Sequence, residues 1–232
     1  MHTLSHFRLC PFSRSIRIAL AEHGYEVHLV DERPWESRPQ FLAMNPAGEL
    51  PILELEDGPM LCGAYAISEY IGALPADRLP RETPRSLFPG APDEQAEVRR
   101  LVDWFHRKFD RDVTREILHE KVYARLRPGG EAHAPDAEIM RAIRANLRYH
   151  LKYLNFLANQ RRWLAGDELS FADFAAAGHL SAIDYLGEVP WDEFPLAKAW
   201  YVRIKSRRAM RTILADRLPG QPPPPQYADL DF

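Results

Sequence analysis

The amino-acid sequence predicts a mixed α/β domain followed by an all-α domain, and three observations carry that expectation. Short β-type and helical runs succeed one another in the order β-α-β-α-β-β-α within residues 1–76. Beyond residue 93 the periodic segments show the 3.6-residue spacing of helices rather than the alternation of strands. Between them, residues 75–92 hold five prolines and few long apolar runs, the composition of a connection between units. The predicted organisation is therefore an α/β domain at 1–76, a linker at 77–92, an α domain at 93–218 and a proline-rich acidic tail at 219–232.

Residues 3–7 read as the first strand and 13–23 as the first helix, ended by Gly24. Residues 25–30 alternate and read as the second strand. An irregular charged stretch, 31–39, carries Trp35, and 40–44 make a short helix stopped by Asn45-Pro46. Residues 51–56 are the third strand, Asp57-Gly58 a hairpin turn and 59–62 a fourth strand antiparallel to the third. A helix over 65–74 closes the domain, with Ala66, Ile67, Tyr70 and Ile71 on one face. In the second domain, 93–126 is a long helix ended by Pro128-Gly129-Gly130, with 127–136 as a loop. Residues 137–164 form another, with a stripe of Ile139, Ile143, Leu147, Leu151, Leu154 and Leu157. Ser170 and Asp173 match a capping box ahead of an Ala-rich buried helix that runs to about 186, and 194–214 is the last long helix.

Composition narrows the function classes. With 46% hydrophobic residues the 232-residue chain can bury a real core, and its net charge of −3 gives no strong pull toward nucleic acid. Two cysteines make no disulfide framework and favour a reducing compartment. There is no basic-then-apolar leader and no apolar run of membrane-spanning length. The nine histidines show no metal-ligand spacing, so no metal site is expected.

The stretch Leu9-Cys10-Pro11-Phe12-Ser13-Arg14 joins the first strand to the first helix. Pro11 suits the first helical turn, which places Cys10 at or just before the helix N-terminus. The dipole there favours an anion and would lower the thiol pKa from its free value of ~8.5. The alternative is a small buried cysteine without chemistry. Ser13 is a lesser candidate to activate a bound thiol, and Cys62 fills a strand position. The basic run Arg203, Lys205, Arg207, Arg208 and Arg211 reads as a solvated helix face, as does His119-Glu120.

Together these features resemble the cytosolic glutathione S-transferases, a thioredoxin-like domain followed by a helical domain, over residues 2–218. Cys10-Pro11-Phe12-Ser13 followed by Arg17-Ile18-Ala19-Leu20 is similar to the cysteine-bearing omega-like and bacterial members, and residues 45–53 are similar to the family's N-P-x-G-x-x-P-x-L stretch. The resemblance implies a cis Pro51 and a ligand cleft lined by Cys10, Leu50, Pro51, Gly63 and Ala64. It also exposes a departure. Where the family has L-x-E/Q-S-x-A-I, whose polar pair grips the γ-glutamyl end of glutathione, this chain has Leu61-Cys62-Gly63-Ala64-Tyr65-Ala66-Ile67. Losing two charge-assisted hydrogen bonds at about 1.5–3 kcal/mol each would weaken binding by roughly two or more orders of magnitude. Glutathione is therefore expected to bind poorly or not at all, no cofactor is expected, and Cys10 and Ser13 are vestigial candidates rather than catalytic residues.

Two further stretches point to a protein partner. Trp35 in its charged loop is either packed back or an exposed interface anchor. In the tail, Pro222–Pro225 should be stiff polyproline II. It ends in Tyr227, Ala228, Asp229, Leu230, Asp231 and Phe232, an acidic, aromatic tip suited to peptide-like recognition; the alternative is a terminus that folds back over the cleft. With the Gly63-Ala64 replacement, these stretches resemble the glutathione S-transferase-like division proteins of alphaproteobacteria that bind the tubulin-like GTPase FtsZ. That resemblance implies a non-catalytic cytoplasmic homodimer at midcell that binds and bundles curved FtsZ filaments through Trp35 and the tail and promotes constriction, with other division proteins as further candidate partners. The competing expectation is an omega-like glutathione-dependent thiol transferase using Cys10.

Overall fold

The computed structural model describes residues 1–74, 86–126 and 134–229. The predicted linker falls largely outside the described residues, as do the 127–133 part of the predicted loop and the tail residues Leu230, Asp231 and Phe232.

Four strands form one sheet: β1 (Thr3–His6), β2 (His28–Asp31), β3 (Ile52–Glu54) and β4 (Met60–Cys62), in the order β2-β1-β3-β4. β1 pairs parallel to β2 and antiparallel to β3, with Leu4 opposite Leu29 and Leu53, and β3 pairs antiparallel to β4. The parallel pair needs a crossover, supplied by α1 (Pro11–Glu22). Between β2 and β3 come a 3₁₀ turn, Pro34–Glu36, and α2 (Pro39–Met44). α3 (Ala64–Gly72) follows β4 directly. The second strand starts later than the alternation suggested, because Tyr25 and Val27 precede the residues that pair.

The α domain opens with one continuous helix, α4, over 92–126. Its first three turns, Pro92–Asp103, are α-helical; π-helical stretches at Trp104–Thr114 and His119–Tyr123 come after them. Such stretches re-aim side chains and are frequent at functional sites. α5 (Ala137–Gln160) buries the predicted stripe apart from Ile139, which is exposed, and stops at Arg161, whose extended backbone ends the helix before the predicted residue 164. α6 (Phe171–Tyr185) is buried along its whole length behind the predicted Ser170–Asp173 box. The last predicted helix is broken. α7 (Pro195–Lys205) ends at Ser206, a 3₁₀ turn covers Arg208–Met210, and α8 (Arg211–Leu214) is one turn long.

The helix that crosses the sheet also joins the domains. α1 buries both faces, with Ile16, Ile18, Ala19 and Leu20 in the core and Ser13, Arg14, Ser15 and Arg17 also enclosed. Its N-terminal turn lies against α6 at Gly178, where an added Cβ would sit 2.5 Å from the Pro11 carbonyl oxygen and 2.9 Å from the Ser15 nitrogen. These are backbone atoms that cannot step aside. Gly178→Ala should therefore destabilise the fold by about 1–3 kcal/mol, read as a lowered urea midpoint; an unchanged midpoint would show that the two helices slide apart without cost.

The basic run of the last helices is a wet face only in part: Arg203, Arg208 and Arg211 are exposed, but Lys205 and Arg207 are not. Lys205 is fully buried 3.9 Å from Asp184, and Arg207 pairs with Glu22 of α1. Glu120 is buried too, accepting a hydrogen bond from the Asp136 N–H at 3.0 Å. In each case the partner comes from a distant part of the chain, an acid for Lys205 and Arg207 and a backbone N–H for Glu120, and the local sequence does not show it.

Candidate ligand cleft and its surroundings

Cys10 stands at the N-cap of α1: its carbonyl accepts the first helical hydrogen bond from the Arg14 N–H at 2.9 Å, and Pro11 occupies the next position. The Leu50–Pro51 peptide is cis and leads into the start of β3. The Gly63 N–H donates to the Pro51 carbonyl at 2.9 Å, and the Gly63 carbonyl accepts from Ile67 at 3.2 Å. Leu50, Pro51, Gly63 and Ala64 thus lie together where α3 begins, and Cys10 stands at the N-terminus of α1.

The first two positions at the start of α3, Gly63 and Ala64, carry no polar side chain. Gly63 has φ +86°, a conformation that side chains rarely adopt, and a Cβ built on it meets no other described atom within 4 Å. Ala64 is buried and carries no polar atom. Room for a gripping side chain exists at Gly63, but the residue fills none of it.

The chemistry of Cys10 departs from the helix-dipole expectation. Burial pushes its thiol pKa up, and the nearby Asp110 carboxylate adds to the rise. The Ser13 hydroxyl and the Ser13 and Phe12 N–H groups pull the other way without prevailing. A thiol without a neighbouring cation and held mainly protonated is a poor nucleophile. Ser13 does not cap its helix; its buried hydroxyl has no well-formed hydrogen bond among the described residues and acts on the Cys10 thiol. Both cysteines are free thiols.

Cys10 has neighbours that sequence reasoning missed, Asp110 and Tyr123. The first π-helical stretch of α4 carries Asp110, and the second carries Tyr123. Tyr123 packs on Trp35 and Phe7 at ring-centroid distances of 5.1 and 5.9 Å, and Phe7 meets Trp35 edge-on at 5.0 Å. Trp35 is therefore packed back on the protein, half-buried, with its indole N–H enclosed and unpaired among the described residues. Of the two readings of Trp35, packed back or exposed, the first holds for its ring, which an aromatic cluster spanning both domains grips. Deeper in, His179 bridges His106 at 3.1 Å and the Thr114 hydroxyl at 2.9 Å, and burial lowers both imidazole pKa values, that of His106 to about 3.

Asp110 offers a pH test. Its side chain is 5% exposed, and burial raises its carboxyl to about 6 despite Arg115 at 3.0 Å. A raised carboxyl pKa favours the protonated fold, so its contribution is complete below about 3.8 and is lost as pH rises through about 6. At about 1.4 kcal/mol per pH unit the ionised form costs about 3 kcal/mol. Asp110→Asn should gain up to about that much over the native residue between pH 4 and pH 7 in urea unfolding; a difference that stays constant with pH would refute the buried-acid assignment.

The tail corrects a second expectation. Tyr227 is fully buried, so its ring cannot be part of a presented tip. Asp229 is exposed and its carboxylate acts on Lys205.

A four-stranded sheet with a cis-proline loop, joined through α1 to a helical domain, is the architecture of the glutathione S-transferases, and this chain belongs to that family. Its residues 4–79 match the family model for the glutathione S-transferase N-terminal domain, and residues 119–208 match that for the C-terminal domain. Among curated relatives, FtsZ-localized protein A of Caulobacter vibrioides is 46% identical over 233 residues, covering 99% of this chain and 98% of the relative. Glutathione S-transferase 2 of Saccharomyces cerevisiae is 28% identical over 219 residues, covering 89% and 87%. Among solved structures, FzlA from C. crescentus has a TM-score of 0.91 at 45% identity, covering 100% of this chain and 99% of the other. A glutathione S-transferase from Sinorhizobium meliloti 1021 has the same TM-score and identity and covers all of both chains. No helix among the described residues is long and apolar enough to cross a membrane.

Proposed function

We propose that this chain is a non-catalytic glutathione S-transferase-family protein that binds FtsZ filaments as a homodimer at the division site in the cytoplasm, favouring curved bundles and cell constriction. The observation that carries this reading is the 46% identity, from end to end, with a relative named for its localisation with FtsZ. The cleft supports it from the other side: Gly63 and Ala64 offer no polar side chain to a γ-glutamyl group, and Cys10 is held against ionisation. Glutathione binds weakly or not at all on this account. Exposed apolar side chains on the α3 and α5 surfaces, Tyr65 at 45%, Tyr149 at 58% and Phe156 at 58%, supply candidate contacts for the homodimer. A two-fold dimer can hold two filaments at once, which turns modest single-site binding into bundling.

The second reading, a glutathione-dependent thiol transferase, draws on the position of Cys10 at a helix N-terminus beside the Ser13 hydroxyl. Co-sedimentation with GTP-assembled FtsZ separates the two. The wild-type chain and Cys10→Ala should pellet alike, and Asp229→Lys should lose most of the binding. A wild-type chain that stays in the supernatant overturns the proposal.

A further inference from the structure

The tail is built into the seam between the domains. Its first part is held by Tyr185, whose hydroxyl accepts from the Leu218 N–H and donates to the Gln221 carbonyl, both at 2.8 Å. Its far part ends in a 3₁₀ turn, Pro225–Tyr227, closed by the Tyr227 N–H on the Pro224 carbonyl at 3.0 Å. The buried ammonium of Lys205 donates to the Gln226 carbonyl at 3.1 Å. The Tyr227 hydroxyl uses both of its capacities: it accepts from Arg14 of α1 at 3.1 Å and donates to the Ile213 carbonyl of α8, also at 3.1 Å. Its ring stands edge-on to Tyr185 at 5.2 Å.

The surroundings explain why this seat is specific. Arg14 is completely enclosed; its guanidinium lies over the Tyr185 ring at 5.8 Å and, among the described residues, donates to the Arg8 carbonyl, the Tyr227 hydroxyl and, at a long 3.5 Å, Asp216, which Arg17 already holds at 2.8 and 3.1 Å. A buried guanidinium needs its N–H groups satisfied, and the phenol is the acceptor for its Nη1. The prolines between the two holding points restrict the unseated chain, so less conformational entropy is lost on seating it. One hydroxyl, bonded to a residue of each domain, fixes the end of a stiff segment.

We propose that residues 219–227 are a strap across the domain seam, and that Tyr227, seated on Arg14, is the positioning residue that fixes where the final residues of the chain are offered to a partner. The strap stands on the geometry alone; its role toward a partner rests on the FtsZ-binding reading above. The tail then divides its labour: Gln226 and Tyr227 belong to the body, and recognition falls to residues 228–232.

A nitroxide spin label at Gln226→Cys, whose native side chain is exposed, in a chain with Cys10→Ala and Cys62→Ala, tests the strap by electron paramagnetic resonance. With Tyr227 present the label should report a single slow component. Tyr227→Phe keeps the ring and should add a minor fast component, and Tyr227→Ala should make the fast component dominant. A mobile label in the presence of Tyr227 overturns the strap whether or not Tyr227→Ala folds. Co-sedimentation with FtsZ tests the positioning role: Tyr227→Ala, with residues 228–232 intact, should bind about tenfold more weakly, the loss expected when a preorganised segment is released, while Tyr227→Phe stays closer to wild type. Tyr227→Ala binding as well as wild type overturns that role and leaves the strap standing. Failure of the wild-type chain to pellet removes the FtsZ reading, and with it the role toward that partner, and the resonance result still decides the strap.

Discussion

Asp216→Ala should destabilise the protein by about 3–5 kcal/mol, the cost of removing one partner from a buried ion pair. The carboxylate is 8% exposed and holds Arg17 through both oxygens, with Arg14 at 3.5 Å. Both arginines lie on α1 of the N-terminal domain, while Asp216 lies just beyond α8 of the other. The variant leaves two guanidinium groups enclosed at the seam without a counter-charge. Because a chain of this size loses about 2–4 °C per kcal/mol, the melting temperature should fall by about 10 °C. Asp216→Asn should recover little, since it restores shape without charge. A fall of no more than about 2 °C would show that the seam is held by apolar packing alone.

Asp173→Ala is expected to cost a similar amount, about 3–5 kcal/mol, by a different route. This fully buried carboxylate accepts from the Leu164 N–H at 3.0 Å, the Ser170 N–H at 3.1 Å, the Ser170 hydroxyl at 3.2 Å and the Trp200 indole N–H at 2.9 Å. It caps α6, ties down the loop after α5 and satisfies an aromatic donor from α7. Truncation strands several donors in a dry interior. Chemical unfolding monitored by tryptophan fluorescence reads the loss directly, since Trp200 is one of the partners; a midpoint within error of wild type would mean that solvent or a neighbour replaces all four bonds.

The parts of this molecule that were legible in its sequence are those set by local pattern. Alternation placed the strands to within a few residues, the Ser170–Asp173 spacing placed the start of α6, and the family resemblance around Pro51 pointed to its cis peptide bond. The two-residue departure at Gly63 and Ala64 was equally readable, because it is a change of chemistry within a preserved frame. The hidden parts are determined by distant partners. Arg14 reads as an ordinary helix residue until Tyr227, 213 positions later, is seen to share its hydrogen bond. Lys205 and Arg207 look like a solvated run until Asp184 and Glu22 appear beside them. Trp35 was undecidable from its charged loop because Tyr123, which packs against it, belongs to the other domain. The same logic reversed the sign for Cys10: a helix N-terminus argues for a thiolate, but enclosure and the proximity of Asp110 outweigh it. Local sequence reports the dipole and says nothing of the enclosure.

On this account the glutathione-type cleft persists as framework without the side chains that would hold its ligand. Isothermal titration of the wild-type chain with reduced glutathione tests this most directly. With the polar pair replaced by Gly63 and Ala64, each missing bond worth about 1.5–3 kcal/mol, the expected result is no saturable heat, or a dissociation constant weaker than about 1 mM. A one-to-one isotherm with a micromolar constant, accompanied by turnover that disappears in Cys10→Ala, would contradict it.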